Sequence, residues 1–351
     1  MGSTKKIGLI GRLDPECELF DGQTVKTRMM YRLLCELYGE ENVVVVETKD
    51  YRHNAPRVVA QTVRCLLTCR DVFVSLSRNG RKAFFPLLSF AARHLHTRVY
   101  HNLIGGWLAQ DLEECPKQVS YLNDFRVNWV ESHQLVGKLE ELGVGNAEFL
   151  PNFKYLDGTE LPESRYYGPG YRFCTFSRVQ ELKGIGDAMG IVEKLCSGGL
   201  DCWLDVYGPI DPSYKEEFET ALSRCVHVEY KGCVAPEKSV QAIASYDALL
   251  FPTKWKLEGI PGTIIDALAA GVPVIAAKWQ YYDEMLEDGV TGFGYGFGNN
   301  ELLADEIKKF IELGNGANEL RKGCLARAVA YSPEVVSGVV AAAVDGERLR
   351  D

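Results

Sequence analysis

Two carboxylates, Glu258 and Asp266, flank a short Gly-Ile-Pro-Gly turn. Residues 250–276 predict a strand, a polar loop, a helix and a second strand, with Pro261 at the helix start and Gly271 just past its end. Open α/β sheets bind ligands at the carboxyl ends of their strands. We therefore expect Glu258 to accept hydrogen bonds from ligand hydroxyls and Asp266 to take a vicinal diol. The alternative is that both complement the helix dipole, for about 0.3–1 kcal/mol each.

A pair of basic residues upstream supplies the opposite charge. Arg178 follows a predicted strand, and Lys183 stands just before the next predicted helix. A guanidinium fork and an ammonium at such a helix start suit a diphosphate; a surface charge pair without a ligand is the alternative. The amides that open the helix after Pro261 have no helical acceptor and are expected to face the same anion: Gly262, Thr263 and Ile264.

The elements that must position these residues alternate regularly. Short apolar strands and helices with helical apolar spacing follow one another in the first half of the chain and again after residue 170. This alternation predicts two doubly wound α/β domains. The polar stretch 154–170 lacks either periodicity, so we expect an N-terminal domain over 1–155 and a C-terminal domain over 156–332, with a last helix from about 333 to 351.

Charge is unevenly distributed along this chain of net charge −9. Residues 51–101 contain eight Arg and one Lys against a single acid, Asp71. A concentrated basic segment favours an anionic partner, either an anionic membrane surface or an acceptor that carries phosphate. Nucleic acid does not fit, because interleaved aromatic residues and a known module are absent. The alternative is a set of solvated helix faces.

An apolar cluster lies inside the basic segment, at residues 84–88 (FFPLL). It belongs to a helix predicted over 82–94 and interrupted at Pro86. A basic helix with a bulky apolar face is typical of contact with a membrane surface. Burial of the same residues in the core is the competing interpretation.

Cysteine usage and hydropathy indicate a cytoplasmic protein. The 11 cysteines are scattered and form no CxxC motif, as expected for free thiols in a reducing compartment. No apolar run approaches the roughly 20 residues of a membrane span. The first apolar residues, 7–10, predict a strand rather than a signal peptide. We expect a cytoplasmic chain, at most peripheral at the inner face of the membrane.

Several of these motifs together resemble the large retaining glycosyltransferase family 4. The resemblance is carried by residues 176–178 (FSR), 183–184 (KG), 251–253 (FPT), 258–261 (EGIP), 267–275 (ALAAGVPVI) and 288–293 (DGVTGF). It covers most of residues 171–311 and extends weakly to Pro151-Asn152. The family implies the GT-B fold, two Rossmann-like domains facing across a cleft, with the last helix crossing back onto the N-terminal domain.

The resemblance also implies roles for individual residues of the second half. Arg178 and Lys183 would hold the nucleotide diphosphate, and Glu258 would contact the donor sugar. Thr263 and Ile264 would offer backbone amides to the distal phosphate, together with Gly262. Asp266 matches the second Glu of the family's E-x7-E motif, which binds ribose, and is one methylene shorter. Gly232 lies in the loop, 230–234, whose backbone would contact the base.

The first half departs further from the family pattern. The family's first loop often has two glycines near the donor, and here only Gly22 is kept, followed by Thr24 and Lys26. Gly22 and Thr24 are expected on the donor side, and Lys26 toward the phosphate or the acceptor. His101 ends a strand where many members carry a histidine that faces the acceptor; a structural loop histidine is the alternative.

These features predict a retaining, metal-independent glycosyltransferase. It would move a sugar from a nucleotide-diphosphate sugar to a glycan or lipid-linked acceptor, in cell-surface polysaccharide or glycolipid synthesis. No D-x-D triplet is present to seat a metal, so no cofactor is expected. A catalytically silent nucleotide-sugar or glycan-binding module is the alternative. An NAD-dependent oxidoreductase is disfavoured, because G-x-G-x-x-G does not follow the first strand.

Overall fold

The computed structural model describes residues 6–16, 19, 21–155 and 167–346. The chain forms two compact units: unit 1 comprises Met1–Phe153 and Ser332–Asp351, and unit 2 comprises Lys154–Tyr331. The first boundary lies two residues before the one expected from the sequence, and the second boundary lies one residue before. Lys154 belongs to unit 2 because its amide donates to the carbonyl of Tyr331 at 3.2 Å and its side chain is buried there.

Unit 1 is built on a parallel six-stranded sheet in the order β2-β1-β3-β4-β5-β6. Its strands are β1 (Ile7–Gly11), β2 (Val43–Glu47), β3 (Asp71–Ser75), β4 (Arg98–Asn102), β5 (Val127–Val130) and β6 (Ala147–Phe149). Its helices up to residue 141 are α1 (Gly22–Tyr38), α2 (Ala55–Thr68), α3 (Arg78–His94), α4 (Leu108–Glu114), α5 (Lys117–Asn123) and α6 (His133–Glu141). The strand order reverses between β1 and β3, which makes that edge the topological switch point of unit 1.

Helices cover both faces of this sheet, which explains the continuous apolar strands. The helices from α2 to α6 pack on one face over a core that includes Val58, Phe85 and Leu135. Tyr100 points to the opposite face, where its hydroxyl donates to the carboxylate of Asp71 at 2.9 Å and also lies 3.3 Å from the carbonyl oxygen of Ala343. That carbonyl belongs to the C-terminal helix Pro333–Asp345, so this helix packs on unit 1.

Two details of unit 1 differ from the sequence prediction. The short helices α4 and α5 were not predicted, since each has only seven residues and too few turns to show a period. Pro86 does not interrupt α3, which runs continuously over 17 residues. The apolar packing of Phe84, Phe85 and Leu88 into the core outweighs the hydrogen bond that proline removes.

Unit 2 has a second parallel six-stranded sheet, in the order β12-β11-β10-β7-β8-β9. Its strands are β7 (Tyr171–Phe176), β8 (Cys202–Tyr207), β9 (Val228–Gly232), β10 (Ala248–Phe251), β11 (Val274–Ala277) and β12 (Gly292–Tyr295). Its helices are α7 (Ile185–Ser197), α8 (Lys215–Leu222), α9 (Ser239–Ile243), α10 (Gly262–Ala269), α11 (Tyr282–Met285), α12 (Leu303–Leu313) and α13 (Ala317–Ala328). The helix Pro333–Asp345 is α14. The remaining turns are 3₁₀ helices at Glu40–Asn42, Glu181–Lys183, Pro236–Lys238, Asn300–Leu302, Gly314–Gly316 and Val329–Tyr331.

The core of unit 2 lies in two layers, one on each face of its sheet. Alternate residues of β10 point into different layers: Leu250 packs with one cluster, while Leu249 and Phe251 pack with the other. This is the doubly wound arrangement expected from the sequence. Its switch point lies between β7 and β10, the strands that end at Phe176 and Phe251.

One helical stretch, Asn300–Asp345, contains an 18-residue window with a mean hydropathy of 1.2, apolar enough by composition to cross a membrane. The stretch consists of α12, α13 and α14, which have 11, 12 and 13 residues. A membrane span needs about 20 residues in a single helix. The stretch is therefore weak evidence for a span, because its apolar residues belong to three short helices.

Candidate functional site

The switch point of unit 2 brings two loops together. Strands β7 and β10 pair directly, with Phe173 opposite Ala248 and Cys174 opposite Leu249. The loops that follow them, residues 177–184 and 252–261, therefore start side by side. They carry the residues for which the sequence predicts phosphate and sugar contacts.

Backbone contacts fix these two loops to each other. The amide of Lys254 donates to the carbonyl of Leu182 at 2.9 Å. Gly184 has a left-handed backbone (φ 67°), and a Cβ built on it would lie 2.0 Å from the carbonyl oxygen of Pro252. Only glycine satisfies both the conformation and the approach at this position. The packing of the two loops therefore requires the glycine that follows Lys183, independently of the lysine charge.

Lys183 and Glu258 form an ion pair at the centre of this arrangement. Each side chain is only 13% exposed. The hydroxyl of Thr253 lies 3.3 Å from the same Glu258 oxygen, and the Lys183 ammonium lies 5.5 Å from the ring centre of Trp255. The structure therefore brings together two residues that are 75 positions apart and for which the sequence predicts separate contacts. Thr253 and Trp255 also belong to this candidate site. Thr253 could have been identified from the sequence, because it is part of the FPT motif.

Further contacts, beyond the Lys183–Glu258 pair, hold the two loops in place. Asp187, in the first turn of α7, pairs with Lys254 at 2.9 Å. The side-chain amide of Asn300 donates to Asp187 at 2.5 Å and approaches the carbonyl of Pro252 at 3.4 Å. No sequence motif indicated Asn300, because it is far along the chain from both loops.

Arg178 differs from Lys183 in its surroundings. Its side chain is exposed, and within the described part of the chain it has no ion-pair partner within 4.0 Å. An exposed guanidinium without an ion-pair partner at a strand end is available to an anionic ligand.

The start of α10 offers part of the predicted set of amides. Pro261 occupies the N-cap and provides no side-chain acceptor. Among the described residues, the amides of Gly262 and Thr263 have no backbone acceptor, and the buried hydroxyl of Thr263 has no hydrogen-bond partner. The prediction is wrong for Ile264, whose amide donates to the carbonyl of Pro261 at 3.0 Å. Two amides, rather than three, are open at this helix start.

Asp266 is more deeply buried than the sequence predicted. Its carboxylate is buried and its two oxygens lie 2.6 and 2.8 Å from the ammonium of Lys154. The same ammonium donates to the hydroxyl of Ser239 at 2.8 Å. Burial raises the pKa of Asp266, and the Lys154 charge opposes that rise. A ribose diol at this carboxylate would have to share it with Lys154, a contact that the sequence did not indicate.

Gly232 stands at the end of β9, with a positive φ of 78° and open space where a Cβ would be. Its carbonyl accepts from the amide of Gly208 at 2.9 Å. The position leaves the backbone accessible, and its contact with a base stays a prediction.

The first loop of unit 1 is closed rather than open to a phosphate. Asp21 caps α1 and accepts from the amides of Gln23 and Thr24 at 3.1 and 3.3 Å. Arg12 pairs with Asp21, and its Nε donates to the hydroxyl of Thr24 at 2.9 Å. The expectation that the Thr24 side chain contacts the donor is wrong, because this side chain is buried and engaged. Gly22 is exposed, and its role stays a prediction.

Lys26 and His101 are also inside unit 1. The ammonium of Lys26 is buried and donates to the carbonyl of Leu103 and to Glu131, each at 2.6 Å. His101 is fully buried, with Nδ1 3.1 Å from the side-chain oxygen of Asn128. Burial, with the nearby Arg81 charge, lowers the pKa of His101 to about 3. The acceptor-side prediction is wrong for both residues, since neither reaches a surface.

Four arginines of the basic segment 51–101 are paired with acids inside unit 1. Arg81 pairs with Asp111 and Arg98 with Asp71, both of them buried acids. Two more arginines, themselves exposed, also pair with acids: Arg78 with the same buried Asp111 and with exposed Glu114, and Arg93 with Asp124. Of the two interpretations of residues 84–88, burial in the core holds for Phe84, Phe85 and Leu88. The exposed charge of the segment is smaller than its composition suggests.

Unit 1 contains a cavity at its own switch point. It has a volume of about 220 Å³ and lies where β1 and β3 end. Its lining combines charged and polar groups with one aromatic ring, including Arg12, Gln23, Asp50, Tyr51, Arg52 and Ser77. Opposite charges with an adjacent ring suit a polyhydroxylated ligand better than a simple anion.

Metal ligands are not grouped in the part of the chain that the structure describes. In that part, no three His, Cys, Asp or Glu side chains are close enough together to hold an ion.

The sequence of the second half of the chain is similar to that of known glycosyltransferases. Residues 162–325, just under half of the chain, match the family model described as glycosyl transferases group 1. The amylovoran biosynthesis glycosyltransferase AmsK of Erwinia amylovora is 26% identical over 140 residues, which are 38% of this chain and 34% of that protein. The match therefore spans about a third of that relative's length. Arg178, Lys183 and Glu258 all lie within the segment that matches the family model.

Solved structures establish the fold. Anabaena HepE, crystallised with UDP and glucose, is 16% identical with a TM-score of 0.76, over 97% of this chain and 100% of that one. Sucrose-phosphate synthase of Thermosynechococcus elongatus is 14% identical with a TM-score of 0.79, over 97% and 98%. The two parallel six-stranded sheets with flanking helices are those of the GT-B fold. The fold expected from the sequence is confirmed.

Proposed function

We propose that this chain is a retaining, metal-independent glycosyltransferase that uses a nucleotide-diphosphate sugar. The observation that carries the proposal is the Lys183–Glu258 pair at the switch point of unit 2, with the open amides of Gly262 and Thr263. A cation, a carboxylate and helix-start donors meet where α/β sheets bind ligands. The match of residues 162–325 to glycosyl transferases group 1 supports this assignment.

The leaving group of such a donor is a nucleoside diphosphate, which gains negative charge as the glycosidic bond breaks. Arg178 and Lys183 are the cations available to stabilise that charge, together with the α10 amides. Loss of one comparable donor lowers rates by roughly 10²–10³ in well-studied enzymes. Because Lys183 pairs with Glu258, a diphosphate that attracts Lys183 would free Glu258 oxygens for the hydroxyls of the sugar.

A UDP-sugar is the donor we propose to test first. HepE is described with UDP, with UDP-glucose, and with UDP and glucose, and its fold covers 97% of this chain. The name of AmsK places that relative in amylovoran biosynthesis. From the family resemblance, we propose that this chain acts in the cytoplasm, in the synthesis of a surface polysaccharide or glycolipid, with a glycan or lipid-linked acceptor.

Retention and metal independence follow from the family resemblance and from the residues available. No D-x-D triplet occurs in the sequence, and two fixed cations can take the place of a metal at a diphosphate. Transfer should proceed unchanged in the presence of a chelator. Nuclear magnetic resonance of the first product should show the anomeric configuration of the donor; an inverted product would refute retention.

The deciding experiment is a panel of nucleotide sugars measured by thermal shift and by release of the nucleotide. We expect one UDP-sugar to raise the melting temperature and to be turned over. Glu258→Gln should keep the fold and lose most turnover. If no nucleotide sugar is turned over while one still binds, the chain is a silent binding module; if none binds, the site assignment itself is wrong.

A further inference from the structure

Lys183 has aromatic neighbours as well as an acidic one. Its ammonium lies 5.5 Å from the ring centre of Trp255 and 6.0 Å from that of Phe251, and it donates a hydrogen bond to Glu258. Phe251 is a buried residue at the end of β10, whereas Trp255 is half-buried in the loop that follows. A cation over an aromatic ring at such distances is attracted by the negative face of the ring. Three groups therefore hold this one charge in place.

The two rings hold the ammonium without using its hydrogen-bond donors. A lysine ammonium has three N–H donors. Lys154, a buried lysine of the same unit, donates to the carboxylate of Asp266, to a hydroxyl and to a backbone carbonyl, so all of its donors are used. Lys183, by contrast, has Glu258 as its one hydrogen-bond partner among the described residues. Two donors of Lys183 are therefore left for the oxygens of an anionic ligand.

The rings also leave the charge of Lys183 intact. A carboxylate cancels the charge of its lysine, so the pair of Lys183 with Glu258 attracts a diphosphate less than a lysine by itself would. An aromatic ring attracts a cation through its quadrupole and carries no net charge. If Glu258 turns to the hydroxyls of a sugar, Trp255 and Phe251 still hold the ammonium, and its full charge then faces the diphosphate.

The loop that carries Glu258 also sets the position of the Trp255 ring. The amide of Trp255 donates to the hydroxyl of Thr253 at 3.1 Å, and its carbonyl accepts from the amide of Glu258 at 3.2 Å. The same threonine hydroxyl lies 3.3 Å from the Glu258 carboxylate. One short turn, residues 253–258, therefore places both the ring and the carboxylate next to Lys183.

We propose that Trp255, assisted by Phe251, is a positioning residue for Lys183. Its ring keeps the ammonium at the switch point of unit 2, with two donors and the full charge available to the diphosphate of the donor. The diphosphate comes from the proposed function, and in that respect the inference rests on it. The hold on Lys183 does not depend on which nucleotide or which sugar is bound.

Binding of pyrophosphate and of UDP to the whole chain, measured by titration calorimetry, tests this role. Trp255→Leu keeps an apolar side chain and removes the ring, so it should weaken the binding of both probes about fivefold, the size expected for one partly buried cation–π contact. Trp255→Phe restores a ring and should recover most of the affinity. Unchanged affinity in Trp255→Leu, or a loss in Trp255→Phe as large as that in Trp255→Leu, would overturn the proposal.

The control is a second tryptophan of unit 2. Trp203 is 40% exposed near the start of β8, at the end of the sheet opposite to the site. Trp203→Leu makes the same chemical change away from Lys183, and it should bind both probes as the unchanged chain does.

A double-mutant cycle separates action through Lys183 from a general effect on the loop. In the Lys183→Met chain, which lacks the ammonium, adding Trp255→Leu should change the remaining pyrophosphate affinity less than about twofold. Pyrophosphate is titrated to high concentration, so that weak binding is still measured. A further fivefold loss in that background would show that Trp255 shapes the loop directly, and the positioning role would be wrong.

A change that preserves the shape of the side chain covers the case in which Trp255→Leu does not fold. Fluorinated tryptophan, placed at position 255 alone, keeps the size of the ring and withdraws electron density from it. The affinity for pyrophosphate should fall stepwise with the number of fluorine atoms, because the negative face of the ring weakens. An affinity that does not depend on fluorination would refute the cation–π contact.

The same samples distinguish failure of this inference from failure of the proposed function. If pyrophosphate binds and responds to Trp255 as expected, while no nucleotide sugar is turned over, the positioning role stands and the proposed function is refuted. If a nucleotide sugar is bound and turned over equally well by Trp255→Leu and by the unchanged chain, the proposed function stands and the inference is wrong. If the chain binds neither pyrophosphate nor UDP, both are wrong.

Discussion

The two switch points of this molecule occupy equivalent places in similar sheets but treat charge differently. At the unit 2 switch point, Arg178 is exposed and α10 opens with free amides. In unit 1, the first amides of α1 are capped by Asp21, and Lys26 is held by Glu131. Unit 2 thus offers helix-start amides and Arg178 to a ligand, whereas in unit 1 the amides of α1 are capped, Lys26 is paired, and a polar cavity lies at the switch point.

The residue at the helix N-cap accounts for much of this difference. Asp21 has a carboxylate that satisfies the amides of α1 itself. Pro261 fixes the backbone at the start of α10 but has no side-chain acceptor, so the amides of Gly262 and Thr263 stay available. A helix start next to a switch point is therefore an anion site only when the cap leaves it open.

The largest effect is expected from the buried pair in unit 2. Lys154→Met leaves the buried carboxylate of Asp266 without its cation, and removing one partner of a buried pair costs about 3–5 kcal/mol. Chemical denaturation measures the loss of unfolding free energy. The exposed Lys194→Met is the control and should change little. Adding Asp266→Leu to Lys154→Met should recover part of the loss; no recovery would show that the pair is not the cause.

Gly184→Ala tests whether the contact between the unit 2 loops is as tight as the structure indicates. A left-handed alanine and a Cβ pressed against the Pro252 carbonyl together cost about 2–5 kcal/mol in stability or in displaced loops. The melting temperature and the affinity for a UDP-sugar should both decrease. Gly190→Ala in α7 is the control, because nothing lies within 4 Å of a Cβ there. Equal behaviour of the two variants would contradict the contact.

Transfer rates test the contrast between the units directly. Lys183→Ala should lower the rate about 10²–10³-fold, or about 2.7–4 kcal/mol, because it removes charge at the leaving group. Lys26→Met, in unit 1, should lower stability and leave the rate of the folded fraction nearly unchanged. Rates are compared per folded molecule, with the folded fraction taken from circular dichroism. If Lys26→Met lowered the transfer rate per folded molecule as much as Lys183→Ala does, the proposed difference between the two units would be wrong.

His101 should make unit 1 sensitive to acid. Its pKa is lowered in the folded state, so below about pH 6.5 the unfolded chain binds a proton that the folded chain does not, and stability falls as pH decreases. From pH 7 to 5 this residue should account for about 2 kcal/mol of lost unfolding free energy. His101→Gln should reduce that slope in denaturation curves measured at several pH values. An unchanged slope would show that His101 titrates normally.

Much of the architecture was predictable because its signals are local. The alternation of apolar strands and helices gave both domains, and Pro261 and Gly271 bounded α10 at Gly262–Ala269. Arg178, Lys183 and Glu258 were found because their motifs lie at strand ends, whose position follows from the chain order. The short helices α4 and α5 escaped prediction because seven residues hold too few turns for a period to emerge.

The amino-acid sequence by itself determined which residues stand at the ends of the strands, and hence where ligands can bind. Only the tertiary structure decided which of those residues are already engaged: Lys183 by Glu258, Asp266 by Lys154, Lys26 by Glu131, and His101 by burial. These partners are 75, 112 and 105 positions apart in the three pairs. Such pairings depend on the order of strands in the sheet and on side-chain depth, neither of which leaves a local pattern in the sequence.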